Sequence, residues 1–279
     1  MDPMTVATSR SYPEETTRAP GRPVAGPPAD AATLHSDATV DDYYRLPDHW
    51  ILHDLQQEEH FTKQHGAYVG RVVELLKQSG VRTALEVGCG DGWNCARLVD
   101  AGIETVGTDW SANAIAYASM LARGARFFCG DVRDAAFAAR FPEPFDAVLM
   151  IEVIEHIPPD DCVAALRNIA RLARPGGRLV LTTPSTNFAN RNDQHYRHFD
   201  EASVRELVGE ARGLTIDSIE GYGDVPAEQR YHRLARWVDN RYYQIKPAKR
   251  WLQRKCEPQW LDTPLSRCAG LIVALTRSA

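Results

Sequence analysis

Ten residues, Thr83-Ala-Leu-Glu-Val-Gly-Cys-Gly-Asp-Gly92, constrain the fold more than any other stretch of this 279-residue chain. An apolar lead into Glu86 is followed by glycines at 88, 90 and 92, and the residues from Trp93 to Asp100 then read as a helix. Strand, glycine turn and helix in that order present a nucleotide-sized ligand at the carboxyl edge of an α/β sheet. Glycine lets the backbone take positive φ there and come close to the ligand. The spacing is not the G-x-G-x-x-G of a dinucleotide site. It is acid-x-G-x-G-x-G, and a carboxylate at position 86 repels a pyrophosphate while favouring a ligand that carries positive charge.

The same alternation continues downstream. Residues 104–109, 126–131, 145–152, 178–183, 214–220 and 270–276 read as strands two to seven. Helices are expected over 112–121 with Ser111 as N-cap, over 160–172 with Pro175-Gly176-Gly177 as the stop, and over 201–211. Strands separated by helices predict a parallel sheet with helices on both faces. Upstream, Trp50, Ile51, Leu55, Tyr68, Val72 and Leu76 recur at helical spacing within a segment from Asp41 to Gln78. That segment carries His49, His53, His60 and His65. No carboxylate or cysteine completes a metal set with them, so they read as surface or lid histidines. Tyr43 and Tyr44, just ahead, are placed to close over a ligand. Residues 1–38, with six prolines and no apolar periodicity, read as a disordered tail.

Composition narrows the class further. Hydrophobic content of 44% and charged content of 25% are ordinary for a soluble globular protein. Six cysteines form no Cys-x-x-Cys pair, which points to reduced thiols and a cytoplasmic location, not a disulfide frame or zinc site. No run approaches the ~20 apolar residues of a membrane span, and the N-terminus lacks the basic-then-apolar pattern of a secretory signal. The formal net charge of −5 is unevenly spread: from Glu228 to Lys255, nine Lys and Arg face two acids.

As an ordered set, five pieces resemble the class I S-adenosylmethionine-dependent methyltransferases: Glu86-x-Gly88-x-Gly90-x-Gly92, Asp109, Gly130-Asp131-Val132, the stretch from Phe145 to His156, and Arg174-Pro-Gly-Gly177. The resemblance covers about residues 82–220 and the last strand. It implies a Rossmann-like, seven-stranded, mostly parallel sheet whose last strand is antiparallel, and S-adenosyl-L-methionine as cofactor. Gly88, Cys89, Gly90 and Gly92 would line its methionine part, with Glu86 tuning polar contacts and Val87 and Ile151 adjoining. Asp109, 21 residues after Gly88, would accept from the ribose hydroxyls. Trp110 would lie on the adenine face, and Asp131 and the Val132 backbone would meet its edge. The alternative for Asp109 and Asp131 is helix capping, since each ends a strand ahead of a helix.

The cofactor's methyl is already activated, so the protein's task is to position an acceptor in line with it. A hydroxyl acceptor gains from a general base whose pKa lies near the working pH. Glu152-Val-Ile-Glu-His156 follows strand four, and His156 is the leading base candidate, with Glu152 beside it. The alternative is a histidine that buttresses the loop. If a helical turn forms, Glu152, Glu155 and His156 share one face suited to a divalent metal, with His195 or His198 as a further ligand. The RNA 3′-terminal 2′-O-methyltransferases use such a pattern. The same stretch also resembles metal-free members acting on quinones, lipids and sugars, and Pro158-Pro159 limits any helix to about a turn, so no metal is assigned. The segments from Thr183 to Asn187 and from His195 to Phe199 resemble members that methylate small molecules, which would turn Asn187, His195, Tyr196 and His198 toward substrate.

Residues 222–268 are too long for a hairpin turn, and their basic residues interleave with Tyr231, Trp237, Tyr242, Tyr243, Trp251 and Trp260. A substrate cap for an anionic acceptor, a peripheral membrane contact, a nucleic-acid surface and a plain helical pair with a small core all remain open, with nucleic acid not favoured. The whole reads as a helical lid over 39–80 and a methyltransferase domain over 81–279 carrying this helical insertion. The expected reaction is O-methylation of a small-molecule acceptor: a saccharide, lipid-linked or secondary metabolite. The alternatives are metal-dependent RNA methylation and a non-catalytic cofactor-binding scaffold.

Overall fold

A computed structural model describes residues 44–278 apart from 58, 135, 190, 191, 193, 241, 243, 257 and 258. The expected tail over 1–38 and Tyr43 lie outside the described residues, as do Arg241 and Tyr243 of the basic segment. Two helices come first, α1 (Asp48–Leu55) and α2 (His60–Gln78). The single helical segment expected here is broken between Gln56 and Glu59, where a polar run offers no apolar residue to hold a continuous helix on the sheet. In α2 an i, i+4 stripe of Tyr68, Val72 and Leu76 is buried, together with Val69.

There follow β1 (Thr83–Val87), α3 (Trp93–Asp100), β2 (Glu104–Asp109), α4 (Ala112–Leu121), β3 (Arg126–Cys129), β4 (Phe145–Ile151) and α5 (Pro159–Leu172). The chain continues with β5 (Ala173–Pro184), α6 (Glu201–Ala211), β6 (Leu214–Tyr222), α7 (Val225–Ala235), α8 (Lys246–Lys255) and β7 (Gly270–Arg277). The seven strands lie in the order β3-β2-β1-β4-β5-β7-β6. All pairings from β3 across to β5 are parallel, and β7 runs antiparallel to both its neighbours. This is the expected Rossmann-like sheet. Strand order reverses between β1 and β4, and such switch points are where doubly wound sheets leave a crevice at their carboxyl ends.

Period-two alternation divides the core. Leu85, Val87, Val148 and Met150 point to the face covered by α5 and α6, whereas Ala84, Ala147 and Leu149 point to the face covered by α2 and α3. Helix α5 ends at Leu172, as expected, but Pro175-Gly176-Gly177 is not what stops it: β5, expected from Arg178, already begins at Ala173, which pairs with Phe145. The register resumes only at Arg178, so Arg174 to Gly177 form an irregularity inside the strand, with Gly176 at φ 70°.

Candidate active site

The glycine turn joins β1 to α3 at the switch point. Gly88, Gly90 and Gly92 all take positive φ, at 73°, 52° and 80°. A Cβ on Gly88 would stand 2.4 Å from Val153 Cγ2, so only glycine fits there without moving the loop after β4. Asp109, at the end of β2, is buried and ties the turn down. One carboxylate oxygen accepts from the Gly90 N–H at 3.0 Å and the other from the Ser111 N–H at 2.9 Å. The helix cap itself is Ser111, whose hydroxyl accepts from the Ala114 N–H. Gly130 N–H donates to the Asp109 carbonyl at 2.8 Å, which brings the acids ending β2 and β3 side by side. Asp131 is paired with Arg133 at 2.6 Å, and although burial works against its charge, Arg133 holds its pKa below the usual value. The same guanidinium lies 5.7 Å from the ring centre of the exposed Trp110. The Val132 carbonyl accepts from Asn168 Nδ2 at 2.8 Å.

Glu86 sits differently from its neighbours in the motif. Alternation along β1 turns it under α3, where it is fully buried, accepting from Asn94 Nδ2 at 2.9 Å and from the Cys95 thiol at 3.0 Å. Burial pushes its pKa up to about 7, against the pull of those two donors. Glu86 therefore anchors the first turn of α3 beneath the glycines. Val87 and Cys89 are buried alongside, and Ile151 closes the end of β4.

The N-terminal segment covers this turn. Tyr44 Oη lies 2.8 Å from where a Cβ on Gly90 would stand. Asp91, between two of the glycines, accepts from the His49 N–H at 2.8 Å and lies 3.3 Å from His49 Nδ1, while its carbonyl accepts from Trp50 Nε1 at 2.9 Å. His53 stacks on Trp93 at 3.7 Å between centroids and bonds His65 at 2.7 Å. The surface reading of these histidines is corrected: His60 and His65 are buried, and His49 and His53 are half-buried because α1 folds down onto Trp93. Burial, then the charge of His49, lowers the pKa of His53 to about 4 and that of His65 well below its usual value. Burial opposes charge on His49 too, but Asp91 outweighs it and raises that pKa.

At the ends of β4 and β5 the structure assembles a second cluster. A short 3₁₀ turn, Ile154–His156, replaces the expected α-helical turn, so Glu152, Glu155 and His156 do not share a face. Glu152 takes φ 54°, and its carboxylate accepts from the Tyr222 hydroxyl at 2.8 Å. Glu155 turns inward, fully buried, and accepts from the Thr183 hydroxyl at 3.2 Å. Burial raises the pKa of Glu152 to about 7, and burial with the charge of Glu152 raises that of Glu155 well above the usual range. Of the foreseen set, Glu155, His156 and His195 come together and Glu152 does not: ligand atoms of those three all lie within 4.8 Å of one another, a cluster among the described residues that could hold a metal ion.

Backbone carbonyls fix the tautomers. His156 Nδ1 faces the Gln194 carbonyl at 3.2 Å and His198 Nδ1 faces the Phe188 carbonyl at 2.9 Å. A carbonyl only accepts, so both rings carry their proton on Nδ1 and the lone pair on Nε2. His198 Nε2 then accepts from His195 Nδ1 at 3.0 Å, which puts the His195 lone pair on Nε2 as well. Burial, then the charges of His156 and His198, lowers the His195 pKa to about 4. The expectation that Asn187 faces substrate is corrected: its Nδ2 donates to Ser185 Oγ and to the Leu265 carbonyl, tying the loop after β5 to the approach to β7. Phe199 is fully buried and Tyr196 is exposed. Thr183 and Tyr222, which partner the two glutamates, escape a motif search; their signal is only that each sits at the end of a strand on this edge.

Sheet order, the glycine turn and the acids of β2 and β3 are those of the class I S-adenosylmethionine-dependent methyltransferase fold. Comparison with known proteins agrees. Residues 85–181 match the family described as Methyltransferase domain. A ubiquinone biosynthesis O-methyltransferase of Aeromonas salmonicida is 24% identical over 235 residues, covering 75% of this chain and 96% of that protein. Among solved structures, magnesium protoporphyrin IX methyltransferase from Synechocystis, with bound S-adenosylmethionine, superposes with a TM-score of 0.56 at 21% identity, covering 90% of this chain and 100% of that one. The N-methyltransferase NodS from Bradyrhizobium japonicum, bound to S-adenosyl-l-homocysteine, gives 0.56 at 16% identity, covering 87% and 98%. No helix among the described residues is long and apolar enough to cross a membrane.

Proposed function

We propose that the chain methylates an oxygen of a small-molecule acceptor (a saccharide, lipid-linked or secondary metabolite) at the edge formed by β4 and β5. The observation that carries this reading is the tautomer chain, which aims the lone pairs of His156 and His195 away from the backbone carbonyls that hold their rings. The relatives named O-methyltransferases support oxygen as the acceptor atom. When bound, the cofactor supplies a methyl group already activated by its sulfonium. Gly88, Cys89, Gly90 and Gly92 would seat its methionine part, with Val87, Ile151 and Glu86 behind them. Asp109 would receive the ribose and Trp110, Asp131 and Val132 the adenine. His156 would take the hydroxyl proton at Nε2, with His195 and His198 positioning the acceptor and Glu152, held by Tyr222, bracing the loop.

A second reading, metal-dependent methylation of the kind that acts on RNA 3′ ends, is favoured by one observation, the convergence of Glu155, His156 and His195. Steady-state kinetics separate the two. With a base at His156, His156→Ala lowers kcat by about 10²–10⁴-fold, Glu155→Gln is milder, and a chelator changes nothing. A chelator that abolishes turnover, with Glu155→Gln as damaging as His156→Ala, overturns the metal-free reading. Mass spectrometry across a panel of hydroxylated small molecules, with RNA included, reads the acceptor as a gain of one methyl.

A further inference from the structure

The hairpin of α7 and α8 carries a surface that neither the cofactor seat nor the histidine edge uses. Its inner side is complete: Tyr231, Ala235, Leu252 and Cys256 form a small buried cluster, and His60 of α2 lies 4.1 Å from the Tyr231 ring. Lys249 fastens the pair to the body, reaching Glu59 at 2.7 Å and Asp239 at 2.8 Å. Trp237, Tyr242, Ile245 and Trp251 are left outside, with 66%, 76%, 48% and 58% of their surface exposed. Around them, seven Lys and Arg between residues 230 and 255 are exposed, and no described acid in that range is.

We propose that this outer face of the hairpin docks the enzyme on an anionic lipid surface. Trp and Tyr settle at the headgroup level because an apolar ring is joined to a polar handle. A cluster of Lys and Arg beside them draws in anionic headgroups. Two observations select this partner. Exposed Ile245 and Leu234 cannot stack on bases and are of no use to a nucleic-acid surface, whereas the acyl boundary takes them readily. A second copy of the chain would bring the same cationic rim against itself, which like-charge repulsion opposes. The inference does not depend on the identity of the methyl acceptor.

Flotation of the full chain with vesicles tests it. The protein should float with vesicles of mixed phosphatidylglycerol and phosphatidylcholine, stay behind with phosphatidylcholine alone, and dissociate as salt is raised. Arg250→Glu with Arg254→Glu, and separately Trp237→Ala with Trp251→Ala, should each lower vesicle partitioning on the order of 10-fold or more. Calorimetric binding of S-adenosylmethionine should stay unchanged in both variants, which shows that they fold. Equal binding to neutral vesicles, or wild-type partitioning by both folded variants, overturns the proposal. So does tight binding of labelled single-stranded RNA that the same substitutions remove while no vesicle binding is seen.

Discussion

At the scale of single residues, the most informative group is Asp109, whose two carboxylate oxygens already hold the Gly90 and Ser111 amides. Hydrogen bonds to a charged group contribute about 1.5–3 kcal/mol. Asp109→Ala is therefore expected to weaken S-adenosylmethionine binding by roughly 10- to 100-fold in titration calorimetry, through the lost ribose acceptor and the slackened turn together. Unchanged affinity would remove Asp109 from the cofactor seat. The glycine turn and the acids that follow β2 and β3 were legible in the sequence, because such residues announce themselves by type and spacing. What could not be read is direction. Glu86 appears in the motif as a group facing ligand, yet the alternation of β1 turns it beneath α3 to Asn94 and Cys95. His195 was foreseen as a further member of the second cluster, but the departure of Glu152 from it was hidden, because it depends on a positive φ at a non-glycine residue.

At the scale of elements, α1 is a cover held by titratable rings. His53 and His65 are packed neutral, with pKa values depressed in the docked state, so a detached α1 binds more protons as pH falls below about 6.5 and docking weakens in that direction. His49 acts with the opposite sign. Its pKa is raised, so its pairing with Asp91 is fully made below about 6.5 and fades as pH rises through the higher value. Asp48, Asp91, Glu86 and Arg97 are the other charges acting on these rings. Below about pH 6.5 the His49 pairing is already complete and only the two depressed rings still titrate, so α1 is expected to loosen between about pH 6.5 and 4. Histidine titration by NMR checks this: His53 and His65 should titrate well below 6.5, and normal values for both would sink the idea. Periodicity predicted a helical N-terminal segment, but not that it breaks between Gln56 and Glu59 or that its histidines go inward. Those outcomes depend on Trp93 and Asp91, which the segment meets only once the sheet exists.

For the molecule as a whole, the sheet and its switch point were the most legible level, since strand and helix alternation over six units leaves few topologies. The seat proposed at that switch point draws on β1, β2, β3 and β4, so occupying it should stabilise the whole domain. At a cofactor concentration 100-fold above Kd the expected gain is about 2.7 kcal/mol, which at about 2–4 °C per kcal/mol for a domain of this size is a rise in Tm of roughly 5–11 °C. A thermal melt with and without S-adenosylmethionine measures it, and an unmoved Tm would contradict binding at the sheet edge. The basic segment was legible only as charge and aromatic content. Which rings fill the small cluster and which remain outside is decided by Lys249 and the helix pairing. That lysine has a consequence of its own. It joins two parts of the chain 190 residues apart, fastening the outer hairpin to the foot of the long helix whose far neighbours roof the glycine turn. One ion pair thus makes a seam between the outermost hairpin and the segment that roofs the glycine turn, two parts of the chain that share no strand of the sheet.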